Sequence, residues 1–282
     1  MGLLRPRDGT LRRGYGATVT SRVVQAASRI WPQQTRTVAN WQRYARAAVL
    51  KGDLNVGWCP ICEGRTVFVW TDPWLRDHYR CVRCHSIPRW RALIHVIENR
   101  FPAWRSGSIH EVAPSGPASR KLAEAADYSS SHFFPGVPLG STHDGFRCED
   151  LQQLTLPDGS LDLFVSQDVM EHIPRPERAF AEIARVLRPG GAHVFTVPIY
   201  GRPETLVRVE PDETGNVRLL MEADYHGNPV SDEGSLVIRE WGADIVNFVR
   251  EHSGLETEVI ELHDRFRGLD GEFLLVLVSR KP

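Results

Sequence analysis

Two pairs of cysteines have the spacing that most directly indicates chemistry in this 282-residue sequence. Cys59 and Cys62 are followed by Cys81 and Cys84, so the pattern reads C-x2-C-x18-C-x2-C. Such spacing allows two short turns to supply four thiolates to one tetrahedral zinc ion. Four thiolates close the coordination shell, so we expect a structural Zn²⁺ with no open position for a substrate.

Carboxylate, amide and imidazole groups form a second candidate site. Gln167, Asp168, Glu171 and His172 follow an apolar run that predicts a strand at Asp162 to Ser166. Open α/β sheets bind ligands at the carboxyl ends of their strands, and a neutral histidine there can take a proton from an acceptor. In the alternative interpretation, Glu171 and His172 open a helix and face solvent or cap its backbone.

The elements that must position these residues alternate between strands and helices from Ser108 onward, which is typical of βαβ units around a parallel sheet. The predicted strands are Ser108 to Val112, Asp162 to Ser166, His193 to Val197, Glu256 to Leu262 and Phe273 to Ser279. The predicted helices are Ala118 to Ala126, Glu177 to Leu187 and Ala243 to His252, with Gly254 past the end of the last. A further helix from Trp90 to Phe101 joins the cysteine-rich module to this domain.

Three regions are expected along the chain. They are a basic arm with amphipathic helices at 1–54, a zinc-ribbon module with its linker helix at 55–104, and the α/β domain at 105–282. Val38, Trp41, Ala45, Ala48 and Val49 give the second N-terminal helix one apolar stripe. The fifth cysteine, Cys148, is expected to fill space in the core.

The α/β region resembles the class I methyltransferases that use S-adenosylmethionine (SAM), in particular the type 11 group. The segment Leu156-Pro-Asp-Gly-Ser-Leu-Asp-Leu-Phe-Val-Ser-Gln-Asp-Val-Met-Glu-His-Ile173 carries the family's aspartate before the fourth strand and its Glu-His pair after it. The family's Leu-x-Pro-Gly-Gly turn before the fifth strand is Leu187 to Gly191. The resemblance implies a Rossmann-like sheet with helices on both faces, preceded by the zinc ribbon and the N-terminal helices.

The same resemblance implies a SAM site at the strand ends. The family's Asp/Glu-x-Gly-x-Gly-x-Gly segment corresponds to Glu111-Val-Ala-Pro-Ser-Gly-Pro117, which keeps the acid but only one glycine. Tyr128 to His132 stands where the family has the acid that holds the ribose; Ser131 or His132 takes its place, or both are ordinary loop residues. Asp150 is expected to meet the adenine, with Glu149 as the alternative. The residues implied to bind SAM are Glu111, Ala113, Ser115, Gly116, Ser131, Asp150, Leu151, Gln167 and Asp168.

An insertion at Tyr200 to Trp241 interrupts the βα alternation and is predicted to act as a lid. It contains a charged hairpin turning at Thr214-Gly215-Asn216, and a Tyr-His-Gly-Asn-Pro segment that also occurs in relatives with the two cysteine pairs. Tyr200, Tyr225 and His226 are expected to face the substrate. The predicted catalytic residues are His172, His226 and Tyr225, whereas the alternatives are a purely structural loop and catalysis by alignment without a base.

Composition limits the classes of protein that the chain can belong to. A hydrophobic content of 41% is enough for one α/β core and a smaller module. The longest apolar runs, such as Phe273 to Val278, are far shorter than the ~20 residues of a membrane-spanning helix. No apolar stretch of ~7 to 15 residues follows the early arginines, so no signal peptide is indicated and a cytoplasmic location is expected.

Charge is spread unevenly along the chain. Residues 1–50 carry nine Arg and one acid, a net charge of +8, which leaves −9 for the remainder of a chain whose total is −1. The basic arm is expected to contact the acidic body of the protein or its partner in a homodimer, or else nucleic acid or an anionic surface.

Three functions compete. The first is a methyltransferase that acts on a hydroxyl or amine of a small molecule or glycan. The second is a nucleic-acid methyltransferase that uses the basic arm and the zinc ribbon. The third is a binding protein that has kept the fold but not the chemistry, which the altered cofactor loop favours.

Overall fold

The computed structural model describes residue 46 and residues 50–211, 217–228 and 231–282. The predicted basic arm, most of the predicted N-terminal helices, the hairpin turn at 214–216 and Pro229 lie outside the described residues.

A three-stranded antiparallel sheet carries the four cysteines. Strands β1 (Leu54–Cys59) and β2 (Gly64–Val69) form a hairpin, and β3 (Arg80–Cys81) pairs with β2 after the short helix α1 (Leu75–His78). Each cysteine pair lies at a turn that follows β1 or β3. This small sheet is called the ribbon below.

A larger sheet of eight strands forms the centre of the molecule, in the order β16-β17-β9-β8-β4-β5-β7-β6. The strands are β4 (Ser108–Val112), β5 (Asp127–His132), β6 (Thr142–His143), β7 (Phe146–Cys148), β8 (Leu161–Gln167), β9 (Leu187–Thr196), β16 (Glu256–Glu261) and β17 (Leu275–Arg280). The neighbours from β9 to β7 are parallel, and β17, β16 and β6 are antiparallel to the strands they join. The predicted strands are therefore confirmed, with shifted ends.

Helices cover both faces of this sheet, as the resemblance implies. Helices α2 (Pro88–Arg100) and α3 (Gly116–Leu122) bury their apolar residues on one face, and α4 (Pro176–Val186) and α5 (Ile245–Ser253) on the other. The last helix ends at Gly254, which has the predicted left-handed conformation. Within the described part of the chain, no helix combines the length and apolar character needed to span a membrane.

Two parallel strands, β5 and β7, were not among the expected strands. β5 reads Asp-Tyr-Ser-Ser-Ser-His and lacks the apolar pattern of a buried strand. Its serines are accommodated because His110 on β4 bonds both Ser129 and Ser131, at 2.8 and 2.9 Å. Cys148 at the end of β7 is buried, as predicted.

The insertion between β9 and α5 contains only short antiparallel pairs. They are β10 (Leu206–Val207) with β15 (Arg239–Glu240), β11 (Val209–Pro211) with β12 (Val217–Leu219), and β13 (Tyr225–Asn228) with β14 (Ser231–Leu236). The pairing of β11 with β12 agrees with the charged hairpin predicted there.

A buried arginine connects the ribbon to the large sheet. Arg91 on α2 is fully buried and donates to the carbonyl oxygens of Ser86 and Tyr79 in the ribbon region and of Gly268 before β17. Its guanidinium also lies 4.7 Å from the ring centre of Phe68. Burial lowers the pKa of Arg91, and the nearby cysteines oppose that shift. This side chain therefore satisfies carbonyl groups from three segments at once.

Arg91→Ala is expected to lower the free energy of unfolding by at least about 3 kcal/mol, because the buried carbonyl oxygens of Tyr79, Ser86 and Gly268 all lose a charged donor. Urea unfolding of the full chain measures the loss. The control, Arg120→Ala, removes an exposed arginine of α3 and is expected to change stability by less than about 0.5 kcal/mol. Equal stability of the two variants would contradict the role given to Arg91.

Candidate functional site

The strand order changes direction between β4 and β8, and this is where open α/β sheets bind ligands. From β4 the chain continues through β5 and β7 on one side, and through β8 and β9 on the other. Glu111 near the end of β4 and Gln167 at the end of β8 lie at this position. The predicted SAM-binding residues on these two strands are thus brought together.

Glu111 is the centre of a buried hydrogen-bond network. Its carboxylate accepts from the Ser119 hydroxyl at 2.8 Å, the Tyr128 hydroxyl at 2.6 Å and the Gln167 amide at 3.0 Å. Burial raises the pKa of Glu111 to about 7, although these three donors act in the opposite direction. All three donors come from the protein itself. Glu111 therefore orients the side chains of Ser119, Tyr128 and Gln167 at the carboxyl end of the sheet.

Gln167 has an acceptor that the protein does not use. Its amide nitrogen binds Glu111, while its oxygen Oε1 is buried and has no hydrogen-bond partner among the described residues. A buried oxygen of this kind normally has a donor. Its position at the carboxyl end of β8 makes it available to a donor group of a ligand.

The β4–α3 turn keeps the backbone shape of a glycine loop despite its substitutions. Ala113 has a φ of 49°, which lies in the left-handed region that favours glycine. This agrees with the glycine that the class I methyltransferases usually have at this position. Gly116 has φ of 67°, and a Cβ there would lie 2.4 Å from the Trp90 ring. Ser115 donates its backbone N–H to the Ser119 hydroxyl at 2.7 Å, which closes the turn.

Asp168 binds two arginines that flank the ribbon strands. Arg76 Nη2 lies 2.7 Å and Arg89 Nη1 3.2 Å from its Oδ2, and the Thr196 hydroxyl donates to Oδ1 at 2.9 Å. Burial raises the pKa of Asp168, but the two guanidinium groups and Thr196 outweigh burial and lower it to about 2. The predicted cofactor contact is therefore occupied by an ion pair, which holds the ribbon against the end of β8.

The residues predicted for the adenosine end lie on β5 and after β7. Asp150 accepts from the backbone and side-chain nitrogens of Gln152, at 2.9 and 3.0 Å. Leu151 is part of the hydrophobic core, and Ser131 is buried against His110. Of these three, Asp150 is the residue that remains partly accessible.

Glu171, His172 and His226 form a third cluster, called the Glu-His-His cluster below. Glu171 lies in a short turn after β8, and its Oε1 is 3.8 Å from Nε2 of His172 and 3.8 Å from Nδ1 of His226 on β13. The two imidazole rings meet edge to face with their centres 5.1 Å apart. The predicted pair of histidines is thus brought together, although 53 positions separate them in the sequence.

Burial sets the protonation of this cluster. It raises the pKa of Glu171 well above its ordinary value, and the neighbouring Asp168 adds to the effect. It lowers the pKa of His172, with a further contribution from His226. His172 Nδ1 lies 2.9 Å from the carbonyl oxygen of Leu236, which can only accept, so Nδ1 carries the proton and Nε2 of the neutral ring keeps its lone pair.

The two predicted tyrosines are placed differently. Tyr225 is exposed on β13, beside His226 in sequence, and successive residues of a strand face opposite sides. Tyr200 packs against Phe273 with ring centres 5.0 Å apart. The structure therefore does not bring Tyr225 together with the two histidines on one face of the hairpin.

The four cysteines of the ribbon converge. The sulfur atoms of Cys59 and Cys84 are 3.7 Å apart, as are those of Cys62 and Cys81, and all four lie within 4.8 Å of one another. A tetrahedral zinc with bonds of about 2.3 Å separates its sulfur ligands by about 3.8 Å. The four sulfur atoms fit such an ion.

Several functional side chains were not predicted. Arg76 belongs to no motif in the sequence. Its contact with Asp168 depends on how the ribbon packs against the large sheet. Ser119 and Tyr128 surround Glu111 because α3 and β5 follow β4 in space. Trp90 was assigned to a helix stripe, and its contact with Gly116 follows from the packing of α2 beside α3.

Comparison with known proteins agrees with this geometry. Residues 122–195 match the family described as methyltransferase domain. An uncharacterized methyltransferase of Mycobacterium avium (strain 104) is 42% identical over 84 residues, which is 30% of this chain and 33% of that protein. Another uncharacterized methyltransferase, from Mycobacterium sp. (strain KMS), is 32% identical over 103 residues, covering 36% of this chain and 38% of that protein.

The chain is therefore similar to methyltransferases over part of its length, residues 122–195 in the family match. It spans from 19% to 38% of the length of the curated relatives it matches. Among solved structures, a SAM-dependent methyltransferase from Mesorhizobium loti aligns with 67% of this chain and 96% of its own, with 19% identity and a TM-score of 0.43.

Asp168→Asn is expected to lower the free energy of unfolding at pH 7 by about 2 kcal/mol, because Arg76 and Arg89 lose their carboxylate. The folded-state pKa of about 2 lies below the ordinary value of about 3.9. The stabilisation is therefore present above pH ~4 and is lost as the pH falls toward ~2. Urea unfolding across this range measures it.

The difference between wild type and Asp168→Asn should shrink below about pH 4. Asp144→Asn alters an exposed carboxylate and serves as the matched control. A difference that stays constant with pH would show that the ion pair does not stabilise the fold.

Proposed function

We propose that the protein transfers a methyl group from SAM to a hydroxyl or amine of a small molecule or glycan. Bound SAM supplies a methyl carbon on a sulfonium sulfur; the acceptor's lone pair forms the new bond, the carbon–sulfur pair stays on sulfur, and the acceptor gives up its proton. Positioning of the acceptor in line with that carbon supplies much of the rate.

One observation carries the proposal. Gln167 Oε1 is buried without a partner among the described residues. It lies at the carboxyl ends of the neighbouring parallel strands β4 and β8, where the strand order changes direction. SAM offers amino and hydroxyl donors that such an oxygen can accept. Gln167 would hold one of these donors, the Ala113–Gly116 turn would lie along the ligand, and Asp150 would accept from the adenine amino group.

The Glu-His-His cluster is the proposed acceptor end of the site. It follows β8 directly, on the same strand end as Gln167, and the β13–β14 hairpin covers it. A histidine nitrogen with a free lone pair, such as Nε2 of His172, can accept a proton or bind a ligand. That His172, His226 or Tyr225 takes part in the reaction stays a prediction.

Three arginines near the candidate site are engaged inside the protein, which favours a small acceptor over nucleic acid there. Arg76 and Arg89 are bound to Asp168, and Arg91 is fully buried, so these three guanidinium groups are used inside the protein. Phosphate binding requires accessible cations. The nucleic-acid alternative would therefore depend on the basic arm and on the exposed Arg65 and Arg83 of the ribbon. An RNA shift that weakens with salt would support it.

We also propose that the four cysteines hold one structural Zn²⁺. Besides the sulfur spacing, Arg91 supports this, because four thiolates around Zn²⁺ have a net charge of −2 and would neutralise a buried guanidinium close by. The closed shell gives the ion no chemical step of its own.

Cys62→Ser is expected to lose the ribbon zinc and to unfold the ribbon locally, because the tetrahedral shell is then incomplete. Elemental analysis of freshly reduced protein and limited proteolysis near the ribbon measure the two effects. The control, Cys148→Ser, removes a buried thiol outside the ribbon and should keep the zinc. Wild-type protein without zinc would contradict the assignment.

Asp150→Ala is expected to weaken SAM binding by about 1 to 3 kcal/mol, the cost of leaving a ligand donor without its acceptor. Isothermal titration with SAM measures the change, and Asp158→Ala, which alters an exposed loop carboxylate, is the control.

A wild-type protein that fails to bind SAM would favour the inactive binding protein. An unchanged affinity in Asp150→Ala would instead show that the adenine lies elsewhere. A labelled-methyl screen of small molecules and glycans then identifies the acceptor.

A further inference from the structure

Glu171 carries a buried carboxylate without a hydrogen bond. Its side chain is 2% exposed, and neither oxygen has a hydrogen-bond partner within the described residues. An ionised carboxylate in such surroundings is costly unless it is paired or coordinates a metal. Protonation does not remove the difficulty at the present distances, since the free lone pair of His172 Nε2 is 3.8 Å away and the second oxygen would stay unpaired. The carboxylate therefore indicates a positively charged ligand.

Two imidazole nitrogens face the same carboxylate oxygen. His172 Nε2 and His226 Nδ1 are each 3.8 Å from Glu171 Oε1, and ligand atoms of the three residues lie within 4.8 Å of one another. A tetrahedral ion with bonds of about 2.1 Å separates its ligand atoms by about 3.4 Å. Small rotations of the three side chains, with ligand atoms moving by less than about 1 Å, reach this spacing.

A backbone hydrogen bond selects the tautomer of His172 that can bind a metal through Nε2. Nδ1–H donates to the carbonyl oxygen of Leu236, so the neutral ring presents the lone pair of Nε2 to the cluster. Metal-binding histidines normally donate their other N–H to a carbonyl or carboxylate in this way, which fixes the tautomer and the ring orientation. Leu236 ends β14, the strand that pairs with the strand of His226.

We propose that Glu171, His172 and His226 bind one divalent transition-metal ion, with Zn²⁺ as the best match. Two imidazoles and one carboxylate are typical of catalytic zinc, whereas Mg²⁺ and Ca²⁺ select oxygen ligands. Three protein ligands leave an open position, unlike the closed four-cysteine shell. The two metal sites of the chain therefore differ in kind.

The role of this ion rests on the proposed function. An acceptor hydroxyl that binds at the open position loses its proton to solvent more readily, because the cation stabilises the oxygen anion. The oxygen then forms the bond to the methyl carbon, and the carbon–sulfur electron pair stays on sulfur. The acceptor class is thus a molecule with a metal-binding hydroxyl.

The test counts metal ions in the full-length protein. Wild type and His226→Ala are equilibrated with Zn²⁺, passed through a desalting column, and analysed for zinc per chain. His226 is partly exposed on a hairpin, so its loss should leave the fold intact. Wild type is expected to retain one more zinc ion than His226→Ala, whatever the content of the four-cysteine site.

Glu171→Gln should lose the same ion, and His263→Ala, an exposed histidine outside the cluster, should keep it. Equal zinc content in wild type and both cluster variants would overturn the proposal. SAM titration of the same samples separates the two proposals, because failure of wild type to bind SAM would contradict the methyltransferase function while leaving the metal count unaffected.

Discussion

The carboxylate of Asp168 lies between two guanidinium groups, and this contact fixes the position of the ribbon on the sheet. Arg76 comes from the helix between β2 and β3, and Arg89 from the start of α2. Since Asp168 directly follows β8, the ribbon is held at the carboxyl end of the sheet, where ligands bind in this fold. A structural module thereby becomes one wall of the candidate site.

This docking explains why the sheet, the ribbon and the linker helix form one unit. Arg91 satisfies carbonyl groups on both sides of the junction, and Trp90 packs on the Gly116 turn that carries the proposed SAM contacts. Loss of the ribbon zinc would consequently disturb the edge of the sheet as well as the ribbon. The proposed zinc site and the proposed SAM site would therefore be coupled by packing, although the zinc would take no chemical step.

Much of the fold follows from the sequence because apolar periodicity decides it. The helix from Trp90 has apolar residues at helical spacing, and the strand at Asp162 to Ser166 contains the apolar run Leu-Phe-Val. β5 escaped prediction because its sequence is polar, and Ser129 and Ser131 are accommodated because His110 provides their hydrogen bonds. These hydrogen bonds come from β4, so the sequence of β5 itself gives no indication of them.

The candidate site, too, follows from the sequence only in part. Cysteine spacing and the Glu-His pair are visible in the sequence, but the burial of Glu171 depends on a hairpin some 55 residues further along the chain. Likewise, the capture of Asp168 by Arg76 requires the ribbon to be in place. Residue types and spacing therefore indicated which side chains belong to the candidate sites. The hydrogen-bond and ion-pair partners of these side chains depend on tertiary packing.

The most direct measurement of the central claim is a crystal structure of the full chain with S-adenosylhomocysteine. The ligand is expected to lie across the ends of β4 and β8, with one of its donors bonded to Gln167 Oε1 and the Asp168 ion pair beside it. A ligand bound elsewhere, with Gln167 Oε1 still without a donor, would contradict it.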